Sequence, residues 1–364
     1  AFGAYLVSRH GSRLPTDRMI LTKAMLKGME TYSPSEAYDE VIKSLIEQDY
    51  IAHIAKECEA VRDGKSDLEH VHELATKALR ELERYVDKDE LFVTPDISAV
   101  VDRIVSTGYE WRLNELNRSL GSLRTGNFVI VAARVEVGKT TFIASEASYI
   151  ATQTPKDRPI IWVNNEQDSQ EVFFRVVQAA IGWTTEEIKD GHEEAMKLYD
   201  DMMKDRNKIR ITNGDTNNVK DLDTLFRDLN PSMIIFDQLD KVDGFSSEDR
   251  EDIRLGKLYK WAREKAREYG PVIAVSQLTA EVEQLKNPPF IGMEYLRGSK
   301  TDKPGEADVV ITIGKFKDPT DEEKILRTIN VPKNKLPGGG KYYVSAERHG
   351  QYIVKIDADT ARYY

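Results

Sequence analysis

The stretch Ala133-Arg134-Val135-Glu136-Val137-Gly138-Lys139-Thr140-Thr141 constrains this chain more than any other. It fits the pattern of a phosphate-binding loop, with Ala133 where the first glycine usually stands. Residues 128–132 before it are an apolar run that reads as a buried strand. Residues 142–147 after it read as the start of a helix. In that context backbone N–H groups at the helix N-terminus surround phosphates. Lys139 reaches the β and γ phosphates, and the Thr140 hydroxyl is positioned to hold Mg²⁺. All nine residues are therefore candidate nucleotide contacts. The competing reading, an ordinary helix that opens with Gly-Lys-Thr, is disfavoured by the flanks.

At 364 residues the chain has room for two domains. Its single cysteine, Cys58, excludes an internal disulfide and a cysteine-rich zinc site, and fits a reducing cytoplasm. The six histidines form no ligand cluster in sequence. No run of about 18 apolar residues is present, so no membrane span is expected. The net charge of −10 argues against nonspecific wrapping by nucleic acid, but leaves room for a local basic channel. The chain opens on Ala1 rather than Met, so an incomplete N-terminal segment is expected.

Residues 1–86 read as a helical N-terminal domain. One helix is expected over 18–27. Another starts at Ser33-Pro34-Ser35-Glu36, where Ser33 can cap, Pro34 suits the first helical position and Glu36 completes a capping box. A third is expected over 50–62. A fourth, from Asp67 to Val86, carries Leu68, Val71, Leu74, Ala75, Leu79, Leu82 and Val86 near one stripe. Such a stripe signals packing, hence scaffolding or oligomerisation rather than catalysis. Residues 87–107 read as a linker, and 108–364 as the main domain.

After the loop helix, apolar strands alternate with helices. Strands are expected over 159–164, 209–212, 233–236 and 272–275; helices over 169–181, 184–204, 219–229 and 247–269, the third capped by Asn217 or Asn218. Short apolar runs separated by helices predict a mostly parallel sheet covered on both faces. Beyond Ala307 the pattern turns strand-rich, over 309–313, 325–331, 342–345 and 352–356, and is expected to extend the sheet with antiparallel strands. Ligands of such sheets bind at the carboxyl ends of the strands. Asp237 ends one strand and can help hold Mg²⁺. Glu166 follows another, as a candidate general base for an attacking water. Gln277 ends a third, where an amide can sense the γ-phosphate.

Taken together, residues 126–134 leading into Gly138-Lys139-Thr140, then Asn165-Glu166, Ile234-Ile235-Phe236-Asp237, Val275-Ser276-Gln277-Leu278, and Leu296-Arg297-Gly298-Ser299 followed by Glu306-Ala307-Asp308-Val309-Val310, resemble the RecA-like motor domain of DnaB-type replicative helicases, in a phage-like member. The resemblance covers about two thirds of the chain. Residues 1–86 resemble a truncated form of that family's N-terminal collar.

The resemblance implies a homohexameric ring that hydrolyses ATP, or another NTP or dNTP, with Mg²⁺ at subunit interfaces. Such a ring moves 5′-to-3′ on single-stranded DNA and works with a separate primase and a helicase loader. It implies catalytic roles for Lys139, Glu166 and Gln277, metal contacts from Thr140 and Asp237, and a nucleotide contact from Arg175. The same resemblance puts Lys333 and Lys335 where the family carries a basic residue and an arginine finger. Lysine supplies charge without the planar fork of arginine, and an ordinary basic turn is the alternative there. Lys241, Arg297, Gly298, Ser299 and Lys300, with Lys303 nearby, are the candidate DNA contacts. A recombinase-like filament ATPase and a nucleotide-regulated, non-translocating scaffold or loader remain open as competing functions.

Overall fold

The computed structural model describes residues 36–82, 97–98, 101, 108–213, 218–245, 251–298 and 302–364. The chain divides into two units, Ala1–Asp96 and Ile97–Tyr364. The expected helix over 18–27, the Ser33 cap, residues 83–86 and nearly all of the expected linker lie outside the described residues.

The first unit shows α1 (Glu36–Arg62) and α2 (Leu68–Leu82). The two helices expected over the first of these stretches are one. No glycine or proline interrupts residues 36–62, so nothing in the backbone stops the hydrogen-bond ladder. The helix ends where Gly64 takes a φ of 70°, a conformation that costs glycine little. Asp67 then caps α2, its carboxylate accepting from the His70 N–H at 2.9 Å. Ile46, Tyr50 and Ala78 are buried, whereas Leu68 and Leu79 of the expected stripe are 74% and 64% exposed.

The second unit is a nine-stranded sheet. In chain order it contains α3 (Asn114–Leu120), β1 (Phe128–Ala133), α4 (Lys139–Ala151), β2 (Ile160–Asn164), α5 (Ser169–Ile181), α6 (Thr185–Asp190), α7 (His192–Met203), β3 (Ile209–Ile211), α8 (Val219–Leu229), β4 (Met233–Asp237), α9 (Glu251–Glu268), β5 (Val272–Gln277), α10 (Asp302–Glu306), β6 (Val309–Gly314), β7 (Leu326–Asn334), β8 (Gln351–Asp357) and β9 (Arg362–Tyr363). The strand order is β3-β2-β4-β5-β1-β6-β7-β8-β9. The first six strands are parallel, and β7, β8 and β9 add on antiparallel.

Both faces are covered, as the unbroken apolar strands require. On β1, Val129, Val131 and Ala133 pack into one core with α4, α5 and α7, while Phe128, Ile130 and Ala132 pack into the other with α8 and α9. The α4 side is also tied to the segment before β1. Fully buried Glu146 accepts from the backbone N–H groups of Arg112 at 2.6 Å and Leu113 at 3.3 Å. Burial pushes its carboxyl up to about 7.

Two expectations for this second unit also need correction. The single helix over 184–204 is two, separated at Gly191, whose φ of −132° and ψ of 45° are not helical. Thr184 and Glu187 form a capping box for the first of them. The strand over 342–345 does not form. The three glycines before it hold φ values of 78°, 102° and 96°. They turn the chain away from the ladder, so that the Val344 N–H donates to the Arg118 carbonyl at 2.8 Å. Asn218 is the cap of α8, accepting from the Asp221 N–H at 3.0 Å. Among the described residues no helix is long and apolar enough to cross a membrane.

Candidate nucleotide-binding site

Side chains alternate faces along a strand, so the phase of each strand decides where its last residue points. Ile160 and Trp162 of β2, Met233 and Ile235 of β4, and Ile273 and Val275 of β5 all belong to the core on the α4 side. Continuing by two places Asn164, Asp237 and Gln277 on that side as well. The register aligns them: Asn164 pairs with Asp237, and Gln277 with Ala133 at the mouth of the loop. Their chemistry therefore gathers beside the start of α4.

The loop itself turns through two left-handed residues, Glu136 at φ 61° and Gly138 at φ 105°. Lys139 opens α4, and the helix's first N–H groups have no partner within its own ladder. Lys139 and Thr140 are only 6% and 8% exposed. Burial lowers the Lys139 ammonium, while the charges of Glu166 and Asp237 act to raise it. Val135 stands out at 52% exposure. Arg134 is held to one side by a 2.9 Å ion pair with Glu283 and donates to the Leu278 carbonyl at 3.2 Å.

Asp237 is fully buried, and neither carboxylate oxygen has a hydrogen-bond partner. Burial, reinforced by the negative charge of Glu166, pushes it up to about 6; Lys139, Lys241 and Arg175 pull the other way. A buried carboxylate with two orphaned oxygens is a costly arrangement unless something binds it. Close enough to Lys139, at the start of α4, to feel its charge, it fits a hard divalent cation. Mg²⁺ takes one or two protein oxygens and fills its remaining positions with water and phosphate.

Glu166 is exposed at the turn after β2. Buried Asn164 pins that turn. Its amide donates to the Gln167 carbonyl at 2.6 Å and to Ser169 Oγ at 3.1 Å, and its Oδ1 accepts from the backbone N–H groups of Glu166 and Gln167 at 3.5 and 3.4 Å. Asp168 then caps α5. The result is an outward carboxylate on a fixed turn, electrostatically coupled to both Lys139 and Asp237. Arg175, on α5, donates to the Gln167 side chain.

Gln277 is joined directly to the segment beyond it. Its Oε1 accepts from Arg297 Nη1 at 3.1 Å, and its carbonyl accepts from the Arg297 N–H at 2.9 Å. Gly298 follows with φ 93°; Ser299 and Lys300 lie outside the described residues. Lys241 donates to the Asn165 carbonyl at 3.3 Å, beside the nucleotide side of the sheet. Lys303 is not an available DNA contact. It is 0% exposed, and its ammonium binds the Asp240 carboxylate and the Arg297 carbonyl, the latter at 2.7 Å. A basic letter in a loop looks solvated in sequence, and only the fold reveals Asp240 beneath it.

Lys333 and Lys335 stand apart from all of these. Lys333 pairs with Val310, which pairs with Ile130, three residues before Ala133. That leaves Lys333 roughly 10 Å back along the strands, and Lys335 lies beyond it. Lys333 donates to the Pro304 carbonyl. Burial and the neighbouring Lys335 lower its ammonium to about 8. Lys335 is exposed, and its N–H donates to the Asp308 carbonyl at 2.8 Å.

Two residues touch the loop without any local sequence signal. Arg327 Nε donates to the Val137 carbonyl at 2.7 Å, and Tyr363 Oη donates to the Gly138 carbonyl at 3.2 Å. Both reach it from more than 180 positions away, beyond the range of any motif.

With the geometry in hand, similarity to known proteins bears on it. A family model described as "DnaB-like helicase C terminal domain" matches residues 104–353. The chain is 30% identical over 189 residues to the replicative DNA helicase DnaB of Geobacillus stearothermophilus, and 27% identical over 188 residues to the replicative DNA helicase DnaC of Bacillus subtilis. Each alignment covers 49% of this chain and 41% of the relative, so the match spans less than half of either helicase. A solved structure described as an ATPase domain superposes with a TM-score of 0.61 at 20% identity, over 76% of this chain and 98% of that one. A structure described as "The Structure Of A DnaB-Like Replicative Helicase And Its Interactions With Primase" superposes with a TM-score of 0.62 at 18% identity, over 99% of this chain and 87% of that one. At these identities the structural likeness establishes the RecA-like α/β fold.

Proposed function

The chain belongs to the DnaB-like helicase C terminal domain family, and on that premise we propose that it is the motor of a ring-shaped replicative helicase, hydrolysing ATP to move 5′-to-3′ along single-stranded DNA and unwind a fork. Residues 108–364 are its ATPase domain, 87–107 its linker and 1–86 a collar that promotes oligomerisation. The helicase solved with primase supports a separate primase as partner; the homohexamer, the loader and the cytoplasmic setting are what the family resemblance adds to this reading.

In this reading the loop and Lys139 bind the phosphates, and Thr140 and Asp237 hold Mg²⁺. A divalent cation held by these two residues would shield the charge that builds on the phosphates during hydrolysis. Glu166 accepts a proton from the attacking water, with Arg175 nearby. Gln277 senses the γ-phosphate and passes its state to Arg297. Lys333 and Lys335 act on the neighbouring subunit's nucleotide. Arg297, Gly298, Ser299, Lys300 and Lys241 are the proposed strand contacts, made to phosphates rather than bases.

One observation carries the proposal. Lys139, Glu166, Asp237 and Gln277 gather at one edge of the sheet, whereas Lys333 and Lys335 lie toward the other. This separation supports a site that a neighbouring subunit completes. The test is to purify the protein with ATP and Mg²⁺ and supply forked duplex DNA. Hexamers that unwind the fork are expected. Strand exchange without unwinding would point instead to a recombinase-like filament, and DNA-independent turnover without unwinding to a scaffold.

A further inference from the structure

The phosphate-binding loop is gripped from behind by the far end of the chain. Arg327, the second residue of β7, donates to the Val137 carbonyl at 2.7 Å, and its Nη1 is held by the carbonyls of Lys324 and Leu326 at 2.9 and 2.7 Å. Tyr363, in the last strand, is 0% exposed. Its hydroxyl donates to the Gly138 carbonyl at 3.2 Å, which also accepts the first helical bond from the Phe142 N–H at 2.9 Å. The Tyr363 ring meets Phe142 edge-on at 5.4 Å, and its backbone N–H donates to Ser145 Oγ at 3.1 Å. The tyrosine is thus fixed to α4 and to the loop at once.

A planar trans peptide points its C=O and its N–H in opposite directions. Pulling the Val137 carbonyl backward therefore aims the Gly138 N–H forward, and pulling the Gly138 carbonyl backward aims the Lys139 N–H forward. These two N–H groups lie at the turn into α4, where a phosphate would sit. The fit behind the loop is close. A Cβ on Gly138 would come within 2.8 Å of Ile356 Cδ1 and 2.9 Å of Tyr363 Oη. Glycine is required there both by its φ of 105° and by the strands at its back.

We propose that Arg327 and Tyr363 are positioning residues for nucleotide binding, a two-point clamp through which the antiparallel end of the sheet presets the phosphate-facing N–H groups of Gly138 and Lys139. The inference rests on the loop being the nucleotide site, as proposed above. Neither residue touches the nucleotide, and both act through loop carbonyls.

The test uses the full chain with Mg²⁺, measuring binding of a non-hydrolysable ATP analogue, ADP and adenosine, together with the thermal midpoint. Tyr363→Phe keeps the ring against Phe142 and deletes only the donor. It is expected to weaken the ATP analogue and ADP by about 3- to 10-fold, at most the worth of one hydrogen bond, with the affinity for adenosine unchanged and the midpoint lowered by no more than about 4 °C. Arg327→Met is expected to do the same and Arg327→Lys to recover part of the loss. Triphosphate affinity within twofold of wild type in both Tyr363→Phe and Arg327→Met would overturn the clamp. So would losses that are equal for adenosine and the triphosphate. A wild-type protein that binds no ATP would overturn the nucleotide reading itself, and the clamp with it.

Discussion

The two halves of the sheet use the same ladder to opposite ends. In the parallel half, β3 to β6, every strand finishes at one edge, so short polar residues after apolar runs accumulate there in phase. Asn164, Asp237 and Gln277 need no special positioning beyond strand register. In the antiparallel half, direction reverses. β7 begins beside the loop, where Arg327 grips it, and ends at the other edge with Lys333 and Asn334, one residue before Lys335. One strand thus carries both Arg327, against the loop, and Lys333, toward the opposite edge. The difference teaches that parallel strands bring their last residues to one edge, while an antiparallel extension carries its last residues to the opposite edge.

Glu166→Gln gives the largest expected effect and tests the parallel half alone. It keeps the turn held by Asn164 but removes the base, so turnover should fall by about 10²- to 10⁴-fold with ATP affinity little changed. Near-normal turnover in a steady-state assay would remove Glu166 from that role. Lys335→Ala tests the antiparallel half. Hydrolysis in the assembled protein should fall by roughly 10²-fold, less than an arginine finger can contribute, while nucleotide affinity of the isolated subunit is spared. An unchanged rate would return Lys335 to an ordinary basic turn.

A smaller effect concerns the cation. Asp237 is held up at about 6, so protons compete with Mg²⁺ below that pH. Calorimetric Mg²⁺ affinity, measured with nucleotide present, should be flat above pH 6 and fall by up to about tenfold per unit below it. No change between pH 7 and 5 would dissociate Asp237 from the metal.

The smallest effect is on stability. Glu146 is raised in the folded protein to about 7 from 4.5. Between those values the folded state holds a proton that the unfolded state has released. Stability therefore falls as pH rises through this window and levels off above it. Asp237 adds a slope of the same sign, confined to pH below about 6. Glu146→Gln should flatten the remaining dependence between pH 6 and 8, a change of roughly 5 °C in thermal midpoint. A slope that persists in the variant would mean that Glu146 is not its source.

These contrasts follow how far the sequence could be read. The parallel half was legible because its signals are local: an apolar run, a turn residue, a helix start. Asp237 and Gln277 stand at the ends of apolar runs visible in the sequence, and Glu166 two residues past another. The antiparallel half was legible only as strands. The failed strand at 342–345 has apolar letters, but the glycine turn before it redirects the chain to α3. β9 is two residues long, too short for any pattern, yet it supplies Tyr363. Lys303 reads as a free cation until tertiary packing buries it over Asp240. The missing information is the same throughout: which distant segment fills the space behind a local motif.

The central claim is that one chain holds two half-sites and cannot join them. It is tested most directly by mixing Glu166→Gln and Lys335→Ala subunits, each inactive alone, and measuring ATP hydrolysis after assembly. In a ring of head-to-tail contacts, about a quarter of the interfaces in an equal mixture would pair an intact Glu166 with an intact Lys335. Hydrolysis should recover toward that fraction of wild type. Recovery no greater than the sum of the two separate variants, from mixed assemblies of normal size, would contradict the account.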